Sequence, residues 1–222
     1  MLVNIMRFFY RPSDFMVQLK VNRRFPKYAF IGLLIFILFL AILLIPINLK
    51  TIYLQFSENI VRADAMMQII EKMNIVQVFI TVVVYILMLL LNVYLLNTVM
   101  RIAKVNTSFV KVLYLMIFAY FILLLGDLAN IGLVYLRGLD NISSQYDISN
   151  LLGLNAFFSP MRINPFLYTC LTYINPFRIW FFIILAKGLN IIFNCRGYKA
   201  IFILSFYFLI LVVIDFYLNR SV

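Results

Sequence analysis

Tyr28 to Leu49 reads YAFIGLLIFILFLAILLIPINL, 22 residues without a charge, and this stretch decides which solvent the chain lives in. About 20 apolar residues in a helix cross the ~30 Å hydrocarbon core of a bilayer. A backbone in lipid has no water to bond, so a segment of this kind must satisfy its own polar groups as a helix. Four further runs are also long and predominantly apolar: Ile75 to Asn97, Val112 to Leu136, Pro176 to Asn194 and Ala200 to Asn219. The expected fold class is all-α, a polytopic membrane protein built as a five-helix transmembrane bundle with short interfacial or re-entrant helices. Composition agrees, with 65% hydrophobic and 12% charged residues and a mean hydropathy of +1.03, where a soluble domain carries about 25% charged residues. One bundle uses up 222 residues. Residues 28–222 are expected to form the five-span membrane domain, and residues 1–27 a cytoplasmic amphipathic N-terminal segment.

The net charge of +11 is distributed by side rather than by patch, which argues against nucleic acid as a partner. Arg7, Arg11, Lys20, Arg23, Arg24 and Lys27 precede the first span; Arg101, Lys104 and Lys111 flank the second loop; Arg196 and Lys199 lie in the fourth. The other side holds Lys50, Arg62, Lys72, Arg137, Arg162 and Arg220, diluted by Glu58, Asp64, Glu71, Asp140 and Asp147. The positive-inside rule then predicts a cytoplasmic N-terminus and, after five crossings, a C-terminus outside a cell membrane, or in the lumen of the ER or Golgi in a eukaryote. The first apolar run is too long for a signal peptide and ends at Ile45, Pro46, Ile47 and Asn48 without a small-residue cleavage site, so it reads as a retained anchor. Cys170 and Cys195 fall near opposite faces, too far apart to bridge.

Before the first span, Leu2, Ile5, Met6 and Phe9 form a helical stripe, Pro12 breaks it, and Ser13 or Asp14 caps a second short helix with Phe15, Met16 and Leu19. Such a basic amphipathic segment lies in the headgroup layer and seats the first span or docks a cytoplasmic partner. The Lys50 to Asn74 loop keeps helical spacing, and Met100 to Lys111 is short enough to make spans two and three a tight antiparallel hairpin.

Ile-Asn-Pro-Phe occurs twice, at Ile163 to Phe166 and Ile174 to Phe177. Asn before Pro is an N-cap followed by a proline in the first helical position. Asn164 and Pro165 therefore start a helix that reaches only Tyr173, too short to cross, and Asn175 and Pro176 start the fourth span. A short broken helix of this kind is a packed lid, or it lines a binding vestibule as in transporters.

Over this region the chain resembles the Yip1 family of five-span membrane proteins. The resemblance rests on Pro12 followed by Phe15, on Leu151 to Pro160 ending in Phe-Ser-Pro, and on the start Asn175, Pro176, Phe177, Arg178, Ile179, Trp180. The Ala186-Lys187-Gly188-Leu189 element, a basic turn and the last span complete it. What the resemblance implies is a non-enzymatic protein with a cytoplasmic N-terminus. Eukaryotic relatives are linked to Rab GTPases and vesicle traffic, and bacterial ones to accessory roles beside ABC transporters. The long cytoplasmic segment usual before the first span of eukaryotic relatives is missing here, which puts Rab binding in doubt. Heavy use of Ile, Phe, Asn, Tyr and Lys suits an AT-rich bacterial genome and hence a plasma membrane.

Chemistry requires side chains this sequence does not supply. It has no histidine, which removes the usual general base and most zinc and haem sites. It also lacks a nucleophile elbow, a phosphate-cradling glycine loop and carboxylates at ligand spacing. No catalytic, cofactor or metal site is expected. The remaining candidates are charges within spans, which are costly in lipid. Asp127, Arg178 and Asp215 fall at one depth in the outer third of three spans. An Asp127 to Arg178 pair, with Asp215 as alternative or third member, either fixes helix contacts or relays a proton or substrate. Lys187 is deep in span four and can snorkel toward the cytoplasm. Gly188, Gly126 and Gly132 permit close helix approach, and Gln77, Thr81 and Asn92 offer interhelical hydrogen bonds. Trp180, Tyr168 and Tyr173 are assigned to the outer interfacial belt.

The function read from this is a scaffold or accessory subunit that binds other integral membrane proteins or shapes the bilayer, itself open to homo-oligomerisation. The alternative is a small transporter or channel with an outer vestibule near Asp127 and the broken helix 165–176.

Overall fold

The computed structural model describes residues 13, 17, 25–56, 74–142, 151–158, 162–195 and 197–219. These form α1 (Phe25–Phe56), α2 (Asn74–Ile102), α3 (Phe109–Arg137), α4 (Pro165–Tyr173), α5 (Pro176–Phe193) and α6 (Tyr198–Asn219), with 3-10 turns at Leu139–Asn141 and Leu154–Phe157. No strand occurs among the described residues. Five of the helices, all but α4, are long and apolar enough to cross a membrane. The all-helical five-span architecture is therefore present, with α1 running on to Phe56, past the expected end at Leu49. The N-terminal stripe and most of the expected Lys50 to Asn74 helix lie outside the described residues.

Local chemistry sets the turns. At the end of α2, Val105 N–H bonds Met100 O at 3.0 Å and Lys104 N–H bonds Arg101 O at 2.9 Å, with Lys104 left-handed at φ 53. This pairing satisfies the last carbonyls of the helix and reverses the chain within a few residues, so α2 and α3 form the expected hairpin. Asn194, at φ 51, ends α5, using one of the few non-glycine residues that tolerate this conformation. Within α1, Pro46 has no N–H to donate to the carbonyl four residues back. In the same turn the Tyr135 hydroxyl of α3 donates to Leu43 O at 2.9 Å. Hydroxyls from a neighbouring helix are how lipid-embedded helices tolerate proline.

Helix α3 is the hub, packed against α1, α2 and α5, while α6 packs on α2, α4 and α5. Half of the apolar stretch of α3 is buried inside the bundle, against 11% of that of α2. Lipid tails are as apolar as leucine, so helix association here rests on close packing rather than on hiding surface from solvent. Gly188 on α5 shows the closest fit. A Cβ there would fall within the Leu115 side chain of α3, 2.7 Å from Cδ2 and 3.0 Å from Cγ. At Gly126 a Cβ would lie 3.0 Å from the Phe177 Cβ, so this glycine too admits a neighbour. Gly132 does not: open space lies around it, and the expectation that it permits helix approach is corrected.

Candidate functional site

The doubled Ile-Asn-Pro-Phe shapes one end of the bundle as its local chemistry dictates. Asn164 Oδ1 accepts the Phe166 N–H at 2.8 Å, and Pro165 begins α4. Asn175 Oδ1 accepts the Arg178 N–H at 2.8 Å, and Pro176 begins α5. Asn175 does more than cap. Its Nδ2 donates to Thr172 O at 3.0 Å, so one buried side chain closes the last turn of α4 and opens the first turn of α5. The break at Ile174 and Asn175 thus leaves few backbone groups unbonded, which is the condition for a break at membrane depth. Ile174 O accepts from Leu154 N at 3.1 Å, and Leu151 N donates to Asn130 Oδ1 of α3 at 2.7 Å. These bonds stitch the 151–158 segment onto the break. Gly153 is needed there, because a Cβ would meet the Thr172 backbone at 3.2 Å.

Beneath this end lies a cavity of about 210 Å³ walled by α2, α3, α5 and α6 together with Leu152 and Tyr173. Asp127, Arg178 and Asp215 all line it. The structure brings the three together as expected but pairs them differently. Arg178 Nη1 lies 3.7 Å from Asp215 Oδ2, while Asp127 Oδ2 accepts the Tyr85 hydroxyl at 3.1 Å. Of the expected pairings, the first, Asp127–Arg178, gives way to the alternative, Arg178–Asp215. Asp215 is near the end of α6, level with the first turn of α5, whereas Asp127 sits ~15 Å of helix inside the end of α3.

Tyr173 completes the cluster. Its hydroxyl donates to Asp215 Oδ2 at 2.5 Å, and the Arg178 guanidinium stands 3.7 Å over its ring centroid. It is buried and joins α4, α5 and α6, so it faces the bundle and not the lipid. Stacking on a ring while facing a carboxylate suits the planar guanidinium in particular. Deeper in the bundle the Tyr207 hydroxyl donates to Asn92 Oδ1, and Asn92 Nδ2 donates to Met88 O at 2.7 Å. Asn92 therefore makes the expected interhelical bond. Gln77 does not, its Oε1 being buried without a partner among the described residues. Trp180 packs against the apolar core, and Lys187 is half-buried on α5 away from the cavity wall. Cys170 and Cys195 are both free thiols.

Sequence reasoning missed Tyr85, Tyr120, Tyr173 and Tyr207 as members of the polar cluster. Their common signal was a hydroxyl within or just before an apolar span, one or two helices away from a buried acid or amide.

The geometry can bind and hold charge. Five helices each contribute at least one polar side chain to a single space between spans. A family model described as the Yip1 domain matches residues 6–218. No curated protein and no solved structure shows a significant similarity to the chain. The match runs through all five spans, the broken segment and the start of α5, and on it the chain belongs to the Yip1 family.

Proposed function

We propose that the chain is a non-enzymatic accessory protein that holds other integral membrane proteins in place, rather than a conduit for solutes. The observation that carries this reading is the closure of the bundle below the polar cavity. Leu33, Leu96, Leu115, Leu189 and Ile203, from all five spans, have no exposed surface and form one continuous apolar layer toward the α2–α3 turn. A transport route needs polar groups or water through its whole length, and here most of the buried polar side chains collect at the α4 end, Asn97 beside Leu96 being the exception. Proteins of the Yip1 family are generally non-enzymatic and commonly interact with other membrane proteins. The lightly buried α2 leaves a long flank free for lipid or a protein partner. In this reading the α4 end faces outward, the N-terminus is cytoplasmic, and a plasma membrane with a transporter complex as partner is the setting. Affinity purification of the full chain from its native membrane in mild detergent tests it. A stoichiometric integral membrane partner is the expected result, and a partner-free chain that moves solute in proteoliposomes would replace the accessory reading with the transporter.

A further inference from the structure

The formal charges in the cavity do not cancel. Arg178 stands 3.7 Å from Asp215 and also acts on Asp127, so one cation faces two acids, and the one hydrogen bond to Asp127 among the described residues comes from the Tyr85 hydroxyl on Oδ2. Its Oδ1 makes no hydrogen bond among the described residues. A carboxyl group out of contact with bulk water stays ionised only with a counter-charge or several donors, and otherwise takes up a proton. About 210 Å³ is far more room than a bare metal cation fills, and among the described residues no group of three or more acids, cysteines or histidines could hold one. The walls instead carry the rings of Tyr120, Phe177 and Phe181, whose faces attract organic ammonium groups. Arg178 has N–H donors beyond the one that faces Asp215, in the fork geometry that suits phosphate. The mouth supplies the last observation. Met88 and Leu91 line the cavity and are also 38% and 40% exposed on the apolar flank of α2, so the cavity reaches the side of the bundle that faces lipid.

We propose that this cavity binds a phosphoethanolamine group, with its ammonium on Asp127 and its phosphate on Arg178, supplied by phosphatidylethanolamine whose acyl chains lie along α2. The same group also exists as a free soluble zwitterion, and the test separates the two sources. The purified full-length protein is titrated with short-chain phosphatidylethanolamine, short-chain phosphatidylglycerol and O-phosphoethanolamine. Binding is read by native mass spectrometry and by the fluorescence of Trp180, the chain's one tryptophan, two residues from Arg178. Phosphatidylethanolamine should bind at least roughly tenfold more tightly than phosphatidylglycerol. Asp127→Asn should erase that preference and Asp127→Glu should keep it. O-phosphoethanolamine binding as tightly as the lipid would uphold the headgroup chemistry and assign it to a soluble ligand. Equal binding of the two lipids by the unmodified protein, or a preference that survives Asp127→Asn, overturns the proposal. The comparison of lipids on the unmodified protein decides the matter by itself where a variant fails to fold.

Discussion

Asn175→Ala removes two bonds at once, and their sum separates it from the outwardly similar Asn164→Ala. Loss of the N-cap on Arg178 N costs ~1 kcal/mol. Loss of the Nδ2 donor leaves Thr172 O without that partner in a buried turn, a further ~1–2 kcal/mol. Together these give roughly 2–3 kcal/mol. Asn164 is exposed and makes only the cap on Phe166 N, so its alanine variant should lose about 0.5–1 kcal/mol. The gap of ~1–2.5 kcal/mol corresponds to a roughly 5- to 60-fold difference in the folding equilibrium. Asn175→Ser should fall between the two, since its hydroxyl can cap α5 but is too short to reach Thr172 O as well. The assay is reversible denaturant titration of the full chain in mixed micelles, followed by Trp180 fluorescence. Equal losses at the two asparagines, or a gain at Asn175, would refute the reasoning that one side chain bonds both helices across the break.

Gly188→Ala should destabilise by ~1–3 kcal/mol because its methyl group would overlap Leu115; combined with Leu115→Ala the losses should be far from additive in thermal unfolding, and additive losses would show that α3 and α5 do not meet there. Arg178→Ala should lower stability by stranding Asp215, and Asp215→Asn should recover more of that loss than Asp127→Asn, with a coupling of ~0.5–3 kcal/mol in a double-mutant cycle. The reverse order of rescue would restore the Asp127–Arg178 pairing. With Cys170 and Cys195 replaced by serine, an impermeant thiol reagent added outside cells should modify Asp140→Cys and spare Asn106→Cys; the opposite pattern would invert the topology.

Asp215 shows where reading by depth stopped working. Counting residues from the ends of spans placed Asp127, Arg178 and Asp215 at similar depth, and all three do line one cavity, with Asp127 deeper than the other two. Depth is a coordinate along the helix axis, and rise per residue sets it. Which acid meets the arginine depends on the rotation of each helix about its axis. In a soluble helix an apolar stripe reveals that rotation. These spans are apolar on every face, so the sequence carries little trace of it.

The same distinction divides the rest of the chain. The five spans, the short helix Pro165–Tyr173 and both asparagine caps were legible in the sequence because each is decided within a few residues, by the lipid's demand for internal hydrogen bonds or by proline and asparagine geometry. Family membership was legible in the order of short motifs, from Pro12 and Phe15 through Leu151–Pro160 and Asn175–Trp180 to Ala186–Leu189. Only the tertiary structure decided that Gly188 receives Leu115 while Gly132 faces open space, that Tyr173 is buried on Asp215, that Asn175 serves two helices, and that Tyr85 rather than Arg178 bonds Asp127. Those contacts join residues about 40 or more positions apart, or turn on how two helices sit against each other, and packing alone selects among them.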